Sequence, residues 1–134
     1  MNKIITFTAL AGGLLLFLVP RYILPACEYQ GYQPMHCSDT AKAEYLTGAL
    51  LMLLGSATFF LKSTRALVFS SSAAVVLFAV SFYLPDTFGY CHNSRMPCNY
   101  GMVPGIRFVA AGGALIMFGV AISLAIKYFK KGKS

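Results

Sequence analysis

Charge is scarce in this sequence: only 11% of its 134 residues are charged, and only four of them are acidic. Soluble domains carry about 25% charged residues, so most of this surface meets something other than water. No phosphate-binding Gly-x-x-x-x-Gly-Lys-[Ser/Thr] loop is present, which leaves any nucleotide hydrolysis to a partner. No basic surface interleaved with aromatics is left over to track a phosphate backbone, which argues against nucleic acid as a partner.

Apolar residues fill the space that charge vacates. They make up 57% of the chain, and the mean hydropathy is +0.67. A membrane span needs about 20 largely apolar residues. Four such stretches are predicted, at about 4–24, 43–61, 66–84 and 105–126, with connecting loops at 25–42 and 85–104. The expected fold is all-α: one integral membrane domain over 1–134, a four-helix transmembrane bundle made of two similar helical hairpins, left-handed and with little room for a pore.

The placement of the few charges sets the orientation. Lys3, Lys62, Arg65, Lys127, Lys130, Lys131 and Lys133 cluster at the two termini and the short turn, with no acidic residue among them. Arg21, Lys42, Arg95 and Arg107 lie with Glu28, Asp39, Glu44 and Asp86 in or beside the two longer loops. By the positive-inside rule both termini and the turn are cytoplasmic and both longer loops are outside, in a multi-pass membrane protein. Leu24-Pro25-Ala26-Cys27 superficially resembles a lipoprotein cleavage box, but Pro20-Arg21 interrupts the apolar run before it, which favours an uncleaved first span.

The two halves are alike. Tyr22-Ile23-Leu24-Pro25 and Phe82-Tyr83-Leu84-Pro85 are expected to end the outgoing helices, since proline disfavours helix in the residue before it. Each is followed by a loop with two cysteines, the second in a Met-x-Cys triplet. Gly48 and Gly55 in the second span, and Gly112 and Gly119 in the fourth, are both seven apart and so share a helix face. Small residues let helices approach closely in lipid, which makes these glycines candidate interface positions. Tyr22, Tyr29, Tyr32, Tyr45, Tyr83, Tyr90 and Tyr100 are placed for an aromatic belt. Ser38, Asp39 or Thr40 is expected to cap the second helix, and Pro104 to open the fourth.

The cysteines admit three chemistries. Cys27 with Cys37 and Cys91 with Cys98 suit two disulfides that brace the loops in an oxidising compartment, although pairing across the loops is also open. Met35 and Met96 would then only pack the loops onto the helix ends. Alternatively, the plan resembles quinone-coupled membrane enzymes that generate disulfides. The four cysteines would relay electrons, and Arg21 or Arg107 would stabilise a thiolate or a reduced quinone. Against it, the Cys-x-x-Cys that those enzymes carry in the first loop is missing. The third chemistry is Cu(I) binding by Met35, His36 and Cys37, with His92 and Met96 in the other loop, although the spacing matches no zinc or haem signature. Glu44 and Arg107, near the outer interface, are expected to bridge the two returning helices, with Arg21 as rival partner.

Residues 25–55, PACEYQGYQPMHCSDTAKAEYLTGALLMLLG, resemble small four-span prokaryotic membrane proteins of unknown-function family 4418. The resemblance places Cys27, Met35, Cys37, Thr40, Ala41, Ala43, Glu44 and Gly48 on its pattern and extends more loosely through Cys91, Met96, Cys98 and Gly112. Ser38-Asp39 stand where members often carry an aromatic residue. The family offers no chemistry of its own. It implies a prokaryotic cytoplasmic membrane, and there an accessory membrane subunit whose partner is an ABC permease of the macrolide-exporter or lipoprotein-release type. A non-enzymatic subunit or scaffold is thus the leading expectation, ahead of the thiol oxidase and the copper protein.

Overall fold

The computed structural model describes residues 2–23, 36–88 and 103–133, and 96% of these are helical. The order is α1 (Asn2–Leu18) continued by a π-helical turn (Val19–Ile23), then α2 (His36–Phe60), α3 (Thr64–Phe88) and α4 (Val103–Gly132). α2, α3 and α4 are each long and apolar enough to cross a membrane, and α1 is a shorter apolar helix. α1 packs chiefly on α2, and α3 on α4; contacts of α2 with α3 and of α1 with α4 close the four-helix bundle.

Each helix buries a stripe stepped by three or four residues. On α1 the stripe is Ile5, Ala9, Gly12 and Leu16; on α4 it is Val103, Ile106, Ala110, Gly113, Met117 and Leu124. That period is close to 3.5 and keeps one face on the bundle axis. The outside is as apolar as the inside: Phe7, Phe60, Phe69, Phe108 and Leu115 are among the exposed large residues. An apolar exterior is what a bundle facing lipid requires, because lipid offers such residues no reason to hide.

Glycines set how near the helices come. A Cβ on Gly48 would sit 2.7 Å from the Gly13 carbonyl oxygen, and one on Gly13 would sit 2.8 Å from the Gly48 carbonyl. α1 and α2 therefore touch backbone to backbone. Phe78 of α3, fully buried, drives its ring edge against Gly12 of α1 and Gly113 of α4, where an added Cβ would meet it at 2.5 Å in both cases. Between the hairpins, α2 and α3 leave an apolar groove of about 770 Å³ lined by Leu50, Leu53, Phe69 and Val76 among others.

Several boundaries differ from the sequence expectation. α2 begins at His36, so Ser38, Asp39 and Thr40 lie inside its first turns instead of capping it, and Asp39 pairs with Lys42 at 3.8 Å. After Pro34 the sequence has no breaker to delay the helix. Pro85 does not stop α3, which runs through it to Phe88. The ring is fully buried, so packing offsets the hydrogen bond that proline deletes. In α1 the corresponding adjustment falls at Pro20, where the backbone widens into the π turn. Such widening is a common answer to a missing donor. Pro104 does occupy the first turn of α4. Of the expected aromatic belt, Tyr22 and Tyr83 are exposed, whereas Tyr45 packs on Phe17 with ring centroids 5.3 Å apart. Tyr29, Tyr32, Tyr90 and Tyr100 lie outside the described residues.

Candidate functional site

Four of the seven buried polar residues among those described, Thr40, Glu44, Thr47 and Ser81, lie on the halves of α2 and α3 nearer the end where α2 begins and α3 finishes. Thr40, Glu44 and Thr47 are spaced four and three apart on α2, hence on one face, and all three are buried. Glu44 lies about 12 Å along the helix from His36 and is wholly inaccessible. Its Oε2 accepts a hydrogen bond of 3.0 Å from the Ser81 hydroxyl of α3, itself fully buried. Its Oε1 has no hydrogen-bond partner among the described residues. Thr47 donates to the Ala43 carbonyl at 3.0 Å, a local bond that satisfies its hydroxyl within α2.

Ser81 stands four residues before Pro85, which has no N–H to return to the Ser81 carbonyl. Pro85 thus removes a helical donor one turn from Glu44. The Glu44 Oε1 without a partner among the described residues therefore lies in the same stretch of the bundle as the turn that this proline alters.

A second polar pair closes the same end from outside. Arg107, in the second turn of α4, donates from Nη2 to Asp86 Oδ1 at 2.6 Å, and its guanidinium lies 5.6 Å from the Phe82 ring centroid. The expected Glu44–Arg107 bridge is therefore not formed. Asp86 is two residues from the end of α3 and meets Arg107 across the mouth of its own hairpin, whereas Glu44 is enclosed deeper and takes a neutral partner. Arg21, the rival partner, is exposed on the π turn with its guanidinium 5.4 Å from the Tyr22 ring.

The four candidate interface glycines divide into two pairs. Gly48 and Gly55 face α1, where a Cβ on Gly55 would lie 3.1 Å from Ala9 and Leu10. Gly112 and Gly119 are exposed, and a Cβ on either would meet nothing within 4 Å. His36 and Cys37 start α2 as helix, but their side chains are outside what is described. Cys27, Met35, Cys91, His92, Met96 and Cys98 lie outside the described residues altogether, so the disulfide, electron-relay and copper expectations all fall there. Among the described residues no three of His, Cys, Asp or Glu gather into a metal-binding group.

Ser81 and Asp86 were not singled out from the sequence. The signal for Ser81 is its place four before a proline in an otherwise apolar run. The signal for Asp86 is that it and Arg107 stand near the facing ends of consecutive antiparallel helices, two residues before the end of α3 and four after the start of α4.

Together these features define a small helical bundle with helices of membrane-crossing length and a buried polar cluster at one end. The chain belongs to the family described as Domain of unknown function (DUF4418), whose profile matches residues 9–129. No curated protein and no solved structure matches the chain.

Proposed function

We propose that this protein is a non-enzymatic accessory or scaffold subunit of a larger complex in a prokaryotic cytoplasmic membrane, crossing it four times with both termini and the turn at 61–63 inside. The observation that carries this reading is the vacant glycine pair of α4. Gly48 and Gly55 receive a helix, α1, at backbone contact, and Gly112 and Gly119 have the same spacing with nothing among the described residues against them. α4 is also the least covered of the three long helices, with 22% of its apolar window buried against 33% for α2 and 39% for α3. Exposed apolar side chains alone would suit lipid. Two glycines on an exposed helix face suit close approach by another helix, the means by which helices associate where lipid removes the hydrophobic drive.

The partner on this reading is a larger integral membrane protein that offers a helix with a small residue at the crossing, as α1 offers Ala9 and Gly13. The family resemblance makes an ABC permease of the macrolide-exporter or lipoprotein-release type the first to test. Disulfides within Cys27–Cys37 and Cys91–Cys98 would brace the outer caps that meet the partner's extracytoplasmic part. Thiol labelling with and without reductant checks that part separately.

The test is purification from native membranes in mild detergent, comparing wild type with Gly112→Ile/Gly119→Ile. Wild type is expected to carry a stoichiometric membrane partner. The variant is expected to lose it while unfolding at the same temperature. Recovery of wild type as a lone monomer, or retention of the partner by the variant, overturns the reading.

A further inference from the structure

Among the described residues, the end of the bundle opposite Glu44 carries cations with no acidic side chain beside them. The three described acidic residues, Asp39, Glu44 and Asp86, all lie at the other end, and both ion pairs among the described residues are there too. α4 has 30 residues and so is about 45 Å long, against a hydrocarbon layer of about 30 Å. Its last turns therefore emerge from the apolar layer and bring Lys127, Lys130 and Lys131 to headgroup level.

There the end of α4 meets the beginning of α3. Between them is a cavity of about 440 Å³ lined by Arg65, Tyr128, Phe129, Lys131, Gly132 and Lys133. The Arg65 guanidinium lies 5.7 Å from the Tyr128 ring centroid, a cation–π contact that joins the two helices at the cavity wall. Arg65 is also the second residue of α3, so the cavity adjoins a helix start whose first N–H groups have no intrahelical acceptor.

We propose that this cavity binds the phosphate of an anionic phospholipid in the cytoplasmic leaflet, with Arg65 and Lys131 taking the phosphate oxygens. The site rests on the membrane orientation proposed above but not on the α4 docking face. The occupant is a lipid, not a free anion, because aromatic residues share the lining with the cations. Phe129 is 72% exposed, and Ile126, one turn before Lys130, is 61% exposed. A ligand with acyl chains covers that surface, and inorganic phosphate leaves it wet. Basic residues next to a membrane helix contribute about a fivefold gain in anionic-lipid affinity each.

The experiment uses the full chain in nanodiscs of equal parts phosphatidylcholine and phosphatidylglycerol, with native mass spectrometry counting the lipids that stay bound. Wild type is expected to retain phosphatidylglycerol preferentially. Arg65→Gln/Lys131→Gln is expected to reduce that preference by about fivefold for each charge removed. Lys3→Gln/Lys62→Gln removes two charges from the same end outside the cavity and is expected to leave it nearly intact. Lys131→Gln/Lys133→Gln, which keeps the Arg65–Tyr128 contact, provides a reading if the first variant does not fold. Equal losses in the cavity and control variants would mean a diffuse charge effect and overturn the proposal. Displacement of the lipid by millimolar inorganic phosphate would overturn it in favour of a free-anion site.

Discussion

The two hairpins share a sequence plan and hold themselves together differently. In α1–α2 the helices meet at glycine backbones, and the end near the turn is tied by neutral groups: the Thr6 and Thr58 hydroxyls lie 2.9 Å apart, and Asn2 Nδ2 donates to the Leu61 carbonyl at 3.4 Å. In α3–α4 the contact passes through the Phe78 ring against Gly113, and the tie is ionic, Asp86 with Arg107, at the opposite end. The difference teaches that glycine spacing alone does not say which helix, if any, will be received. α2 uses its pair inside the molecule and α4 leaves its pair outside. The same glycine spacing thus serves a close helix contact in one hairpin and lies exposed in the other.

The largest expected effect comes from removing the piece that joins the hairpins. Phe78→Ala empties the space between Gly12 and Gly113 and is expected to cost about 3–5 kcal/mol, read as a lower midpoint in detergent-phase unfolding. A midpoint within error of wild type would mean that the hairpins are held by something else.

Next is the polar tie between α2 and α3. Ser81→Ala leaves the buried Glu44 carboxyl without its hydroxyl partner and is expected to cost about 1–3 kcal/mol. Glu44→Leu removes the other side, and the double variant is expected to cost less than the sum of the two singles. Strict additivity in that cycle would show that the bond contributes nothing.

The outer ion pair is expected to matter less. Asp86 and Arg107 keep 46% and 33% of their side-chain surface exposed, so Asp86→Asn is expected to cost about 0.2–1 kcal/mol. The loss should shrink as salt is raised from 0.01 to about 1 M, where screening reaches about 3 Å. A loss that does not change with salt would show that the carboxylate acts through packing.

How much of this was legible in the sequence follows from what each signal measures. The four helices and the bundle were readable because long apolar runs interrupted by proline and charge leave no other fold. Helix ends were less so. Pro85 reads as a stop in isolation, but a buried ring inside a bundle is held by its neighbours, and only the packing shows that. Glu44 reads from the sequence as a charge near the outer interface in need of a partner, but its full burial and its partner do not, because Ser81 lies 37 residues away and serine in a span is common. The sequence pairs Arg107 with the wrong acid because it does not encode the register between α3 and α4, which brings Asp86 to Arg107. The glycine pairs were found, but spacing does not encode direction.

One comparison bears most directly on the account: isoleucine placed in turn at Gly48, Gly55, Gly112 and Gly119, each variant unfolded by heat in the same detergent. Isoleucine at 48 and 55 is expected to lower the midpoint by an amount corresponding to about 1–3 kcal/mol, because the α1 backbone occupies the space. Isoleucine at 112 and 119 is expected to leave it unchanged. Equal losses at all four positions, or losses confined to α4, would contradict the asymmetry on which the proposed docking face depends.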